Sequence, residues 1–383
     1  LPANTPRSRP VSNLPKLSDI VLQGLVSFGL ALLVSWLMGA AIVRYEHIHS
    51  GWSMDHTEGG PQKFHSTPTP RIGGLCIAVG LLACATVLPA LNANDSNTLS
   101  LLLVAGLAPF AGGFSEDLTK KTGVLSRLLF TMIGGALAAW LLSAVITHLD
   151  VPGVDYLFTF PVLAIAFTVF AAGGVANSIN IIDGFNGLAS GFSLIASAAF
   201  AYVAYSVGAM DLLLVALALM GTLIGFLIWN YPHGKIFLGD GGAYLVGFLL
   251  AELSILLVVQ HREVSPWFPL AVLIYPIFET LFSAYRRIFF RGRSAGKPDA
   301  MHLHTLVFRR IVRKVPIVAL RKHWTNHNSL VAPRFIWANL LVAVSAGFVY
   351  EKLWWLLLIA FAFCAIYVWL YWRIVRWKTP RMV

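Results

Sequence analysis

An all-α bundle of about ten or eleven membrane-spanning helices, with its polar chemistry in the cytoplasmic loops, is the fold this sequence predicts. Three observations predict it. Of 383 residues, 57% are hydrophobic and 12% charged, with a mean hydropathy of +0.74, far outside the range of soluble globular proteins. The apolar residues are gathered into stretches long enough to cross about 30 Å of hydrocarbon as helices. The 28 lysines and arginines also fall almost wholly on one side when the segments between those stretches are assigned alternately to the two faces.

Taken in order, residues 1–19 form a polar, proline-rich tail that begins with Leu1 and reads as processed, on the external side. Apolar spans follow at 20–43, 72–92, 99–114, 126–147, 157–176, 187–207, 212–231, 241–260, 266–290, 334–350 and 353–372. The third is short, the ninth long, and the tenth is interrupted by small and polar residues. Together residues 20–373 make one transmembrane domain with a large loop at 291–333, and residues 374–383 form a basic tail. Cys76, Cys84 and Cys364 sit inside apolar runs and read as small buried hydrophobes.

Charge sets the orientation. One side collects 23 of the 28 basic residues, twelve of them between Arg286 and Arg334, so this side is cytoplasmic and the N-terminus is external. The same side holds every polar motif. These are Lys63 with Thr67-Pro-Thr-Pro-Arg71-Ile-Gly73-Gly74, then Ser115-Glu116-Asp117-Leu-Thr-Lys120-Lys121. Asn177-Ser-Ile-Asn180-Ile-Ile-Asp183-Gly184-Phe-Asn186-Gly187, Phe237-Leu-Gly239-Asp240-Gly241-Gly242 and Pro298-Asp299-Ala-Met-His302-Leu-His304 complete the set.

Ionisable groups flanked by apolar spans are costly and mark functional sites. In a soluble chain, Asp before Gly would more simply be a helix cap or turn. The membrane setting favours function for Asp183 and Asp240. Glu116-Asp117 before two lysines reads, by itself, equally well as a solvated loop. His302 and His304 would point about 200° apart on a helix, so both can act only if the segment is not regular helix. Other histidines, His47 and His49 among them, default to structural or solvated roles. Carboxylates gathered on one face need a cation, and Mg²⁺ takes oxygen ligands and bridges to phosphate. With lysines and arginines to hold remaining phosphate charge, the group reads as a phosphoryl-transfer site.

In motif content and order the chain resembles the polyprenyl-phosphate N-acetylhexosamine-1-phosphate transferases, a family of bacterial and eukaryotic membrane enzymes that initiate lipid-linked glycans. The resemblance implies transfer of an N-acetylhexosamine 1-phosphate, GlcNAc-1-phosphate by default, from a UDP-amino sugar to undecaprenyl phosphate, with UMP released. It implies Mg²⁺, with Mn²⁺ as a substitute, held by Asp240 and Asp183. Catalytic positions are Glu116, Asp117, Asp183, His302 and His304. Substrate positions are Lys63, Thr67, Arg71, Lys120, Lys121, Asn177, Asn180, Asn186, Asp299 and Phe237, the last by stacking on uracil. The implied setting is the bacterial inner membrane with the site on the cytoplasmic face, a membrane-lipid partner, a homodimer, and no nucleic acid. A groove beside the ninth span is the expected home of the prenyl tail. Three departures from the family pattern stand out: Glu116 replaces the first Asp of a pair, Asn186 stands where Asp is common, and Thr305 and Ala300 stand where His and Arg are common. The rival reading is a cation-coupled transporter whose carboxylates form the ion path. One-sided motifs argue against it, because a transport site is expected near mid-depth.

Overall fold

The computed structural model describes residues 17–55, 68–91, 97–291, 301–314 and 327–376. Lys63, Thr67 and Asp299 therefore lie outside the described residues. In chain order the helices are α1 (Leu17–Arg44), α2 (Glu46–Ser53), α3 (Gly74–Leu91), α4 (Thr98–Thr119), α5 (Val124–Leu141), α6 (Pro152–Leu157), α7 (Pro161–Ile182) and α8 (Leu188–Ser206). They continue with α9 (Met210–Asn230), α10 (Gly239–Gln260), α11 (Trp267–Val272), α12 (Ile274–Arg291), α13 (Leu303–Arg310), α14 (Ala332–Phe348) and α15 (Leu353–Val375). Ten of these are long and apolar enough to cross a membrane; α2, α6, α11, α12 and α13 are not among them. The chain is a multi-pass, all-α membrane protein.

Helix α10 is the axis of the bundle. Its first twenty residues, Gly239 to Val258, are all buried, as expected of a helix that is apolar on every side. It packs against α3, α4, α7 and α8. The outer helices do the opposite and present large apolar groups outward, with Trp140 78% and Trp354 79% exposed. Only a hydrocarbon surround makes that arrangement stable.

Three boundaries depart from the sequence expectation, and each departure bears on the site. The ninth span, expected as one run over 266–290, is divided at Leu273 into α11 and α12. Pro276 explains the break: its ring clashes with the carbonyl four residues back, at Val272, where α11 ends. The short third span runs on to Thr119, so Glu116 and Asp117 belong to a helix and not to a solvated loop. The fifth is displaced toward the C-terminus, ending at Ile182, which puts Asn177 and Asn180 three apart on one helical face.

The described residues between α1 and α3 form a small platform. His49 is buried and bonds the Ser53 hydroxyl at 2.6 Å and the Ile42 carbonyl at 2.9 Å. Strand β1 (Met54–Asp55) pairs antiparallel with β2 (Thr69–Pro70). The chain leaving β2 docks on the approach to α10: Phe237 N–H donates to the Pro70 carbonyl at 2.8 Å, and Gly73 and Gly74 donate to the Phe237 and Leu238 carbonyls at 2.9 and 2.8 Å.

Candidate functional site

The site begins with an unmet need at the N-terminus of α10. The first N–H groups of a helix lack intrahelical partners, and a cap residue usually supplies an acceptor. Here the cap position is Leu238, which has none. Asp117, from the last turn of α4, fills the gap with both oxygens: Oδ1 accepts the Asp240 N–H and Oδ2 the Gly241 N–H, each at 2.8 Å. The positive end of the α10 dipole adds to this attraction. Asp117 is 1% exposed, so its carboxylate is committed to joining two helices.

So close an approach depends on glycine. Gly239 has φ +75, and a Cβ there would lie 2.1 Å from the Arg71 carbonyl oxygen and 2.7 Å from Asp117 Oδ2. Gly239→Ala should therefore destabilise the protein by at least about 2 kcal/mol and uncouple α10 from α4. Gly174→Ala, where an added methyl meets open space, is the control. Thermal melting of both in detergent checks this, and equal melting points would refute it.

Around this joint the charges converge. Arg71 Nη2 lies 3.1 Å from Asp240 Oδ1 and 3.5 Å from Asp117 Oδ1. Asn180 Nδ2 donates to Asp240 Oδ1 at 3.1 Å, and Arg127 pairs with Asp240 Oδ2. Tyr244, one turn into α10, donates its hydroxyl to Asn177 Oδ1 at 3.1 Å. Glu116 Oε2, beside this cluster in sequence, is buried with no hydrogen-bond partner among the described residues. Arg127 lies in none of the sequence motifs; a lone arginine in the first turn of an apolar helix is the signal that could have found it.

Asp183 sits just past the end of α7, outside the span. Burial pushes its carboxyl up to about 7, with Arg71 pulling part of the way back. Arg71 is thus the shared cation of three aspartates. An unfolded Asp titrates near 3.9, so between about pH 4 and pH 7 the folded chain holds a proton that the unfolded chain has released. Stability must fall as pH rises through that window. In chelator-treated protein, the melting temperature should drop from about pH 4.5 to 7.5, and Asp183→Asn should flatten the slope. Identical slopes for the two proteins would sink this assignment.

The histidines approach from the other side. A Cβ on Gly184, next to Asp183, would lie 3.8 Å from His304 Nε2. His302 is the extended N-cap of α13 and His304 lies in its first turn, so the segment is not regular helix across both, and the two rings stack at 5.2 Å. Behind them Glu279, 1% exposed, accepts from His302 Nδ1 at 2.9 Å and from the Leu303 N–H at 3.2 Å. His304 Nδ1 meets the Tyr275 hydroxyl at 3.1 Å. Glu279 was missed in the sequence although it is an acid within an apolar run, the same signal that marked Asp183.

Other expected residues fall further from this cluster. Asn186 is buried and spoken for: its N–H donates to Asn328 Oδ1 at 2.8 Å and its Nδ2 to the Pro232 carbonyl at 3.1 Å. Lys120 takes the left-handed cap of α4 and donates Nζ to the Met54 carbonyl at 2.8 Å. Lys121 is exposed, and Phe237 is half-buried just before α10.

The donor set suits a hard cation. Asp240 and Asp183 offer carboxylate oxygens, and Asp183 is a partly buried acid beside Arg71. Among the described residues no three acidic, imidazole or thiol groups form a complete metal cage. That is compatible with Mg²⁺, which commonly takes one or two carboxylates and completes its shell with substrate phosphate oxygens and water.

Comparison with known proteins gives the constellation a context. Residues 98–258 match the family described as glycosyl transferase family 4. The chain is 32% identical over 321 residues to a decaprenyl-phosphate N-acetylglucosaminephosphotransferase of Mycobacterium leprae, covering 75% of this chain and 76% of the relative. It is 29% identical over 244 residues to a probable undecaprenyl-phosphate N-acetylglucosaminyl 1-phosphate transferase of Bacillus subtilis, covering 63% and 66%. A phospho-N-acetylmuramoyl-pentapeptide-transferase of Streptococcus pneumoniae is 32% identical over 246 residues, covering 62% and 73%.

Proposed function

The chain belongs to glycosyl transferase family 4, the polyprenyl-phosphate N-acetylhexosamine-1-phosphate transferases, and from that premise we propose that it moves GlcNAc-1-phosphate from UDP-GlcNAc to undecaprenyl phosphate. An oxygen of the lipid phosphate attacks the sugar-bearing phosphorus, and the bond from that phosphorus to UMP breaks. The single observation that carries the reading is the joint at the N-terminus of α10, where Arg71, Arg127, Asn180, Asp117 and Asp240 converge beside Asp183.

Each residue has a distinct task. Asp117 holds α4 to α10 with both oxygens and so positions Asp240; it is a poor candidate for the base. Glu116, with its unpartnered buried oxygen, is the better group to orient the lipid phosphate. That phosphate is largely ionised near neutral pH, so alignment and charge neutralisation supply most of the rate. Arg71 and Arg127 are placed to turn from Asp240 to the diphosphate. His304, next to the Asp183 turn, contacts the substrate, while Asn186 fixes the loop geometry. Asp240 and Asp183 would hold Mg²⁺ or Mn²⁺, which when bound neutralises charge developing on the departing UMP.

The charge asymmetry supports a cytoplasmic active face in a bacterial inner membrane, with α11 and α12 together making the crossing expected of the ninth span. The test is a panel of UDP-amino sugars offered to purified protein with undecaprenyl phosphate, with and without Mg²⁺. Lipid-dependent UMP release is the expected result. Sugar accumulation in sealed vesicles without UMP release would reject the transferase and favour transport.

A further inference from the structure

Behind the stacked histidines stand two groups that differ in what they can do with a proton. Tyr275 and Glu279 are four apart on α12, on one face of that helix, and each meets a different imidazole. Glu279 accepts from His302 Nδ1 at 2.9 Å, and the Leu303 N–H converges on both its oxygens at 3.2 Å. An ionised carboxylate has no proton to give, so His302 Nδ1 carries one. Tyr275 Oη lies 3.1 Å from His304 Nδ1, the hydroxyl's one hydrogen bond among the described residues. The tyrosine ring packs against Phe335 at 5.0 Å and Phe192 at 6.1 Å, and the residue is buried. A hydroxyl that accepted from His304 would leave its own proton buried and unbonded, a cost that vanishes if it donates. His304 Nδ1 is then a lone pair, the opposite of His302 Nδ1.

We infer that Tyr275 and Glu279 lock the two histidines in opposite tautomers, His302 with its proton on Nδ1 and His304 with its proton on Nε2. The rings stack at 5.2 Å with 10° between their planes, and both Nδ1 atoms are turned to α12, so the Nε2 edges point away from that helix. For His304 that edge faces the Asp183 turn, where a Cβ on Gly184 would lie 3.8 Å from Nε2. For His302 the bond to Glu279 is its one hydrogen bond among the described residues, which leaves the Nε2 edge to a ligand. The neutral pair therefore presents an acceptor, His302, beside a donor, His304. A sugar phosphate matches that pattern: a phosphate oxygen accepts from His304 Nε2–H, and a hydroxyl or amide N–H of the sugar donates to His302 Nε2. Two like tautomers would offer two donors or two acceptors and lose the distinction. Tyr275 is thus a positioning residue that acts through His304. The use of the pair in catalysis rests on the transferase reading, whereas the tautomers themselves do not.

The test is solid-state nitrogen NMR of the full-length protein in lipid bilayers, labelled at its histidine nitrogens and held at about pH 8, where an ordinary imidazole is neutral. The two rings are assigned by the signals lost in His302→Gln and in His304→Gln. Wild type should show a protonated Nδ1 for His302 and an unprotonated Nδ1 for His304. Tyr275→Phe keeps the ring that packs on Phe335 and removes only the donor. In that variant His304 should become a mixture of tautomers while His302 stays as it was, and kcat should fall about tenfold. A merely structural Tyr275 would lower the melting temperature and kcat together and leave the His304 spectrum alone; that result would overturn the inference. The same tautomer on both rings of the wild type would overturn it without any variant. Spectra as expected from a wild type that releases no UMP would uphold the tautomers and reject the transferase reading.

Discussion

Asp240→Asn should abolish most turnover, lowering the rate at least about a hundredfold, while the protein still inserts and folds. The reason lies in how Asp240 is held. Its Oδ1 meets Arg71 and Asn180, each at 3.1 Å, and its Oδ2 meets Arg127. Its side chain is therefore touched by three separate parts of the site, Arg71 before α3, Asn180 of α7 and Arg127 of α5. Asparagine keeps the shape and one acceptor oxygen but removes the negative charge on which the two guanidinium groups converge. The helix joint survives, because Asp117 bonds the backbone of residue 240 and not its side chain. Loss of activity with an unchanged melting temperature is the expected pair of results. Activity close to wild type at saturating Mg²⁺ would remove Asp240 from the proposed metal site, whatever happened to the rest.

Glu279 gives the second large effect, and two substitutions separate its functions. Glu279→Leu leaves His302 Nδ1 and the Leu303 N–H without their shared acceptor in a buried setting, and should cost about 3 kcal/mol or more. Glu279→Gln keeps an acceptor for both and should fold normally. It removes the anion that orients the two stacked imidazoles beside Gly184. Residues standing behind a functional group in this way typically account for about 10–100-fold in activity. The glutamine variant should lose kcat by that factor with little change in KM for the UDP-sugar. A melting point that falls as far for glutamine as for leucine, with kcat tracking it, would make Glu279 purely structural.

Most of the fold could be read locally. Each span announces itself through the hydropathy of its own twenty or so residues, because transfer into hydrocarbon is summed residue by residue. The break at Leu273 was also within reach, since Pro276 stands in the middle of the ninth run. Caps and boundaries were harder to place. Asn177, Asn180 and Asp117 look like loop chemistry in the sequence, but they ride on helices that continue five or six residues past the end of the apolar run.

Functional candidates were legible as positions and illegible as roles. Asp183 and Asp240 stood out because a charge in an apolar setting is rare. Asp117 stood out as well, yet nothing local could say that both its oxygens would serve backbone N–H groups 123 and 124 positions away. Arg127 and Glu279 carried the same kind of signal and were passed over, because neither sits in a glycine-flanked motif.

By itself, then, the sequence determined the membrane class, the order of the spans, the one-sided distribution of charge and the short list of polar positions. All of these are properties of composition and near neighbours. Tertiary structure alone decided which carboxylate caps a helix, which arginines meet Asp240 and which acid stands behind the histidines. Arg71 and Asp240 are 169 residues apart, and Asn180 and Asp240 are 60 apart. No local rule encodes pairings at such separations, because they arise only when helix ends that are each stable alone must satisfy one another's unpaired backbone and charge in a space without water.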